Sequence, residues 1–232
     1  MPGCGDLSPP QRSSSVSLQQ NFVSMLLAVA VTPATLFIMT NRCWWPGNDP
    51  VYIDYHDREW GVPVSDDRTW FEFICLDGQQ AGLSWITVLK KRDNYRRAFH
   101  QFDPLKVSRM RDNTIEKLLQ DSGLIRNRLK LYSIPRNAKA FLLVQDEFGS
   151  FNDYIWKFVD GSPLDGKRRQ MQDVPATSRE SDAMSRDLKK RGFTFCGSTI
   201  CYAFMQAAGM INDHLTDCFR YQEIKQLNKS AQ

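Results

Sequence analysis

The chain has 232 residues, is 42% hydrophobic and carries a formal net charge of +4. That length supports one sizeable core, and six cysteines at irregular spacing exclude the disulfide scaffold of a small secreted domain, pointing to a reducing compartment instead. The charge is modest but bunched: Lys90 to Arg97 holds five cations against Asp93, and residues 122–144 hold Arg126, Arg128, Lys130, Arg136 and Lys139 with no acid, which suits a phosphate backbone or a solvated helix face.

Residues 1–41 differ from the rest of the chain. Ser, Pro and Gln dominate the start, and Phe22 to Met39 then runs without a charge. A signal peptide, a membrane anchor and an over-extended reading frame with initiation at Met39 are the three readings. The anchor is opposed by its marginal length and Pro33, the signal by a lone Arg12 far from the apolar run. Initiation at Met39 is preferred, because the chain beyond it reads as a complete cytoplasmic protein with no membrane association.

Asn41 to Pro63 is aromatic and rich in turn residues, so the expectation is a loop with at most a helical turn over Val51 to Tyr55. Helical periodicity begins after Asp66-Asp67 and stops at Gly78; Ser84 can cap a second helix carrying Trp85, Val88, Leu89, Tyr95 and Phe99. Asp103-Pro104 opens a short helix to about Met110. Asn113 to Glu116 is a possible capping box into IEKLLQ, and after a break at Asp121-Ser122-Gly123 a helix resumes with IRNRLK. Two helices joined by a Gly turn and followed by basic residues form a helix-hairpin-helix candidate, in which Gly123 lets backbone N–H groups approach phosphates and Arg126, Arg128 and Lys130 supply charge. Pro135 is expected to kink or interrupt the second helix, which ends near Gly149. Helices are further expected at 151–159, 181–191 and 198–208, with a long surface loop over 161–179 and a tail over 222–232. No period-two run appears, so the fold class is mainly α.

The stretch from Tyr55 to Arg92 carries the densest chemistry. Tyr55, Trp60, Trp70 and Trp85 offer π-faces, Asp77 an acid beside Gly78, Gln79 and Gln80 an amide pair, and Lys90 to Arg92 a basic end. A flat heterocycle such as a damaged nucleobase needs stacking faces, a polar group at its edge and cations near its phosphates; each aromatic is equally compatible with core packing. Cys75 and Cys201 fall in apolar helical stretches and read as core. Cys43 and His56 lie thirteen residues apart, and His214 and Cys218 four apart on HLTDC, so the second pair can share a helix face. Two such pairs would complete a Cys2His2 metal centre, although the spacing matches no finger pattern and Asn212-Asp213 also reads as a helix cap.

The segments DPVYIDYHDREWGVP, GQQAGLSWITVLKKR, GLIRNRLK and LKKRGFTFCGSTICYAFMQAAGMINDH, with Cys218 after them, resemble the 3-methyladenine DNA glycosylase I family over residues 42–221. The resemblance implies a helix-hairpin-helix DNA glycosylase-like fold and a structural zinc held by Cys43, His56, His214 and Cys218, joining the N- and C-terminal segments. It implies a base pocket of Trp45, Tyr55, Asp77 and Trp85, in which the carboxylate hydrogen-bonds the base edge; with no other candidate acid, Asp77 is the expected catalytic carboxylate. It also implies action on double-stranded DNA containing 3-methyladenine; a monomer is expected, cytoplasmic and nucleoid-associated, the apolar N-terminal segment leaving a targeting signal open. One departure stands out: LDGQQAG replaces the family's LEGQQAG, so Asp77 is one methylene short of the family's glutamate. A non-catalytic module that binds alkylated bases or DNA is therefore the rival reading. Pro135 also stands where relatives commonly carry an aliphatic residue.

Overall fold

The computed structural model describes residues 41–230. The readings of Phe22–Met39 and of Met39 as a start lie outside them. Helix α1 (Pro50–Arg58) is nine residues long where a single turn is expected. Asp49 caps it, accepting from the Val51 and Tyr52 N–H groups, and Pro50 fills the first position, so Asp-Pro here is a helix start and not a turn.

Helix α2 (Asp67–Gln80) starts under the Asp66 cap, as expected, but runs through Asp77-Gly78. Gly78 serves close packing: a Cβ there would lie 3.2 Å from the Cβ of Phe195. The single helix expected from Trp85 to Phe99 is two, α3 (Trp85–Leu89) and α4 (Arg92–Ala98). The apolar spacing persists across the Lys90-Lys91 junction, which hides the break. Ser84 stands at the N-cap position without capping the backbone, because its hydroxyl is 2.7 Å from that of Thr87. A 3-10 turn (His100–Phe102) leads to α5 (Pro104–Ser108), capped by Asp103.

Helix α6 (Asp112–Leu118) lacks the expected capping box, since Glu116 is drawn to the Tyr132 hydroxyl at 2.6 Å and to Arg128. Helix α7 (Arg128–Phe148) begins under an Asn127 cap and contains Pro135 without interruption. Nearby, the Lys130 carbonyl accepts from Ser133 at 2.6 Å and from Gln79 Nε2 at 3.0 Å, bracing the turn before the proline from the side. Gly149 ends the helix at φ 87°, a conformation that glycine adopts at no steric cost.

Then come α8 (Phe151–Ile155), a 3-10 turn (Trp156–Val159), α9 (Arg179–Lys190) and α10 (Ser198–Ala207). Helix α9 starts two residues earlier than its expected bound, under a reciprocal Ser178–Ser181 cap. Residues 222–230, expected as a tail, are helical: α11 (Phe219–Ser230) buries Tyr221 and Ile224. The expected loop 161–179 holds strand β1 (Leu164–Asp165), paired in parallel with β2 (Ile211–Asn212), and a 3-10 turn at Met171–Asp173. Two-residue strands are too short to leave an alternating pattern.

The fold is mainly helical, and α2 lies at its centre, packing on α3, α7, α8 and α10. Trp70 is wholly buried there, its ring centroid 5.4 Å from Phe204 and its indole N–H donating to Asn152 Oδ1 at 3.0 Å. It is core, and the expectation that it offers a stacking face is corrected. Among the described residues no helix is long and apolar enough to cross a membrane.

Candidate functional site

One end of α2 opens on a cavity of about 290 Å³, near the lower end of the ~300–1,000 Å³ common for small-molecule sites. Its walls include Trp45, Tyr55, Trp60, Asp77, Gln80 and Trp85, so the sequence-predicted acid and four of the sequence-predicted aromatics do converge. The rings brace one another: Trp45 lies 5.1 Å from Trp60 and 6.3 Å from Tyr55, and Tyr55 lies 5.5 Å from Trp85, centroid to centroid. Such edge and tilted contacts hold aromatic walls in place while leaving ring surface free.

Two polar atoms on these walls, Asp77 Oδ2 and Trp85 Nε1, are buried and have no hydrogen-bond partner among the described residues. A buried polar group without a partner costs about 1–3 kcal/mol, so the site is set up for a ligand that offers both hydrogen bonds. Burial raises the Asp77 carboxyl well above the usual carboxylate range, because the charged form loses its hydration there. The Tyr55 hydroxyl is raised by burial and by the nearby Asp77.

The hairpin between α6 and α7 is tied to the cavity from behind. Ile125 N–H donates to the Tyr95 hydroxyl and Tyr95 donates to Gln79 Oε1, each at 3.1 Å. Lys130 is 6% exposed, and its ammonium donates to the carbonyls of Gln79 and Ala81 at 2.7 Å. It is therefore not presented to phosphate, which corrects the expectation; in the interior an ammonium must be fully partnered. The Gly123 N–H is likewise taken, by Asp121 Oδ1 at 2.7 Å, and a Cβ at this position would collide with the Asn94 amide, so the glycine serves packing. Arg126 is exposed, and Arg128 is at the surface beside Glu116. The basic run beyond Trp85 is also engaged: Lys90 pairs with Asp49, Lys91 donates to the Ser122 carbonyl and Arg92 pairs with Glu59.

Cys43, His56, His214 and Cys218 meet in a buried cluster whose ligand atoms lie within 4.8 Å of one another. Cys43 Sγ is 3.6 Å from His214 Nδ1, and Cys218 Sγ is 3.6 Å from His56 Nε2 and 3.7 Å from His214 Nδ1. A tetrahedral centre with metal–sulfur bonds of ~2.3 Å and metal–nitrogen bonds of ~2.0–2.1 Å has S···N edges of about 3.5 Å. The donors fit a metal ion. The far nitrogen of each imidazole is also held, His56 Nδ1 by Asp57 at 2.7 Å and His214 Nε2 by the Trp60 carbonyl at 3.0 Å, the outer hydrogen bonds that orient ligating histidines. Arg42 grips Asp57 in turn. Hydrogen bonding from Cys43, then from His214 and His56, holds the Cys218 thiol well below its ordinary range. Cys43 and Trp60 also line the cavity, so the cluster buttresses its wall.

Sequence reading missed one part of the site. Gln206, on α10, and Asp213, just before a cluster ligand, both line the cavity, and Asp213 is bonded by Arg168 Nε at 2.9 Å and by the Tyr202 hydroxyl at 2.5 Å. Met171 and Val174 add apolar wall from a segment expected to be surface loop. Long-range contacts, the pairing of β1 with β2 among them, bring that segment here, and no local pattern reports them.

Residues 45–221 match a family model described as methyladenine glycosylase. The chain is 53% identical over 180 residues to DNA-3-methyladenine glycosylase 1 of Escherichia coli (strain K12), covering 78% of this chain and 96% of that protein. It is similar to a crystal structure of 3-methyladenine DNA glycosylase I at 54% identity and a TM-score of 0.76, covering 77% of this chain and 98% of the other. A tyrosine-to-phenylalanine variant of 3-methyladenine DNA glycosylase I, solved in complex with 3-methyladenine, matches at 36% identity and a TM-score of 0.75, over 77% of this chain and 96% of the other.

Proposed function

The chain belongs to the methyladenine glycosylase family, and on that premise we infer that it is a DNA-3-methyladenine glycosylase, a base-excision repair hydrolase that cleaves the N-glycosidic bond of 3-methyladenine in DNA. The observation that carries the reading is the aromatic cavity in which Asp77 Oδ2 and Trp85 Nε1 stand buried without partners. A flipped base supplies what these walls lack: two faces for stacking and an edge for hydrogen bonding.

The 3-methyladenine nucleotide is cationic, so it is already a good leaving group, and selection matters more than activation. Trp85 and Trp45 stack on the electron-poor ring, where cation–π attraction favours a charged base by ~0.5–2 kcal/mol. Burial favours the protonated form of Asp77 in the free protein; the cationic base favours the ionised form as it enters, and the carboxyl proton passes to solvent. The carboxylate then stabilises the positive charge that spreads onto the sugar as the C1′–N bond breaks. The bonding electrons pass to the ring, which leaves as neutral 3-methyladenine. Water adds to C1′ and its proton goes to solvent.

We assign the Cys43, His56, His214 and Cys218 cluster to zinc, since two thiolates and two imidazoles suit that ion. When bound, the ion would supply folding free energy by clamping the segment before α1 to the segment after β2, and it takes no part in the chemistry. Double-stranded DNA lies along the face that carries Arg126 and Arg128, and the protein works as a cytoplasmic monomer. The test is product analysis. Incubation with methylated duplex DNA yields free 3-methyladenine and an alkali-labile abasic strand; retention of the DNA without either product would mean a lesion-binding module.

A further inference from the structure

The cavity holds a second polar wall whose orientation is fixed from outside it. Asp213 is buried, with a side chain that shows no exposed surface. Its Oδ1 accepts from Arg168 Nε at 2.9 Å, and its Oδ2 from the Tyr202 hydroxyl at 2.5 Å and from Gln206 Nε2 at 2.9 Å. A carboxylate paired with a guanidinium only accepts hydrogen bonds, so the Gln206 amide must turn its NH2 towards Asp213. Its Oε1 therefore has a set direction, away from Asp213, and no protein donor among the described residues reaches it. Gln206 lines the same cavity as Asp77 and Trp85. Ordinarily an amide flips to suit its ligand; here one orientation is imposed.

We propose that Gln206 determines which alkylated purine is accepted, its Oε1 receiving a hydrogen bond from the exocyclic amine of 3-methyladenine, and that Asp213, held by Arg168, is the residue that positions it. A 6-oxo purine places an acceptor where the amine would be, and two acceptors facing one another repel. Gln206 thus works as a filter against 3-methylguanine and 3-methylhypoxanthine. The proposal rests on the reading of the cavity as the base pocket and adds the rule by which it selects. Arg168 reaches Asp213 because Leu164 and Asp165 pair with Ile211 and Asn212 and the Arg168 carbonyl accepts from the Thr216 N–H at 2.7 Å. The segment expected to be loop is in this way part of the selectivity device.

The test compares binding of free 3-methyladenine and 3-methylhypoxanthine, two bases that differ at position 6, by quenching of the cavity tryptophans in the full chain. The wild type favours 3-methyladenine by tenfold or more. Gln206→Leu, which keeps the bulk and removes the amide, narrows the preference to about threefold or less while 3-methylhypoxanthine binds no worse. Asp213→Asn, which can donate to Gln206 and so release its flip, narrows it in the same direction. The ratio is the readout a loss of packing would leave unmoved. An unchanged ratio in Gln206→Leu overturns the proposal, as does a wild type that releases 3-methyladenine from DNA yet binds both bases equally. A wild type that neither binds the free base nor releases it from DNA overturns the base-pocket reading, and the filter with it.

Discussion

Lys130 and Gln79 grip each other twice: the Lys130 ammonium donates to the Gln79 carbonyl at 2.7 Å, and the Gln79 amide donates to the Lys130 carbonyl at 3.0 Å. The first turn of α7 and the cavity end of α2 therefore behave as one piece.

Removing that grip separates a structural cation from a DNA-facing one. Lys130→Met leaves two buried carbonyls short of a donor and should lower stability by roughly 2 kcal/mol. The salt dependence of duplex binding should stay as in the wild type. Arg126→Ala should do the opposite, leaving the melting temperature alone and reducing the salt slope by about one unit. Thermal melts and binding titrations across 50–200 mM salt check both.

Asp77 gives a pH signature. Its folded-state pKa is raised by burial, so its stabilising contribution is complete below the unfolded value of about 3.9 and is lost as pH rises towards the folded one. Asp77→Asn cannot ionise and escapes that loss. The variant should melt above the wild type at pH 8, and the gap should close towards pH 4, with a slope of up to about 1.4 kcal/mol per pH unit between the two pKa values. A gap independent of pH would show that Asp77 is not buried as an acid.

The shorter acid has its own consequence. A reacting group misplaced by about 1 Å can lose on the order of 100-fold in rate. Asp77→Glu, which restores the side chain that the resembled family carries, should raise single-turnover base release by about tenfold. A fall would mean that this cavity has adjusted to the aspartate.

Metal removal should act on folding first. The purified chain should contain one zinc ion per molecule by elemental analysis. Cys218→Ser or prolonged chelation should remove it and lower the melting temperature, because the ion would cross-link residues 171 positions apart in sequence, Cys43 and His214. Full zinc content in Cys218→Ser would place the metal elsewhere.

Helices with clear local signals were legible in the sequence: Asp66 before α2 and Asp103-Pro104 before α5 each carry a cap that the backbone uses. Glycine and proline misled where tertiary packing decides. Gly78 is small because Phe195 lies against it, and Pro135 sits in an unbroken α7. Asp77, Trp45, Tyr55 and Trp85 could be grouped from motif resemblance, and they share a cavity. Basic residues were over-read, because a lysine in sequence looks the same whether it meets solvent or, like Lys130, two carbonyls. Gln206 and Asp213 stayed invisible because only the folded chain sets this carboxylate beside this amide on the cavity wall.

The most direct measurement is single-turnover release of free 3-methyladenine from methylated duplex DNA by the wild type, Asp77→Asn and Trp85→Ala. The wild type should release the base, and both variants should be slower, Trp85→Ala by about 5- to 150-fold given ~1–3 kcal/mol of stacking, with zinc content and duplex affinity retained. Wild-type release that neither substitution changes would contradict the account, because the base would then be cleaved without the acid and the ring on which this cavity is built.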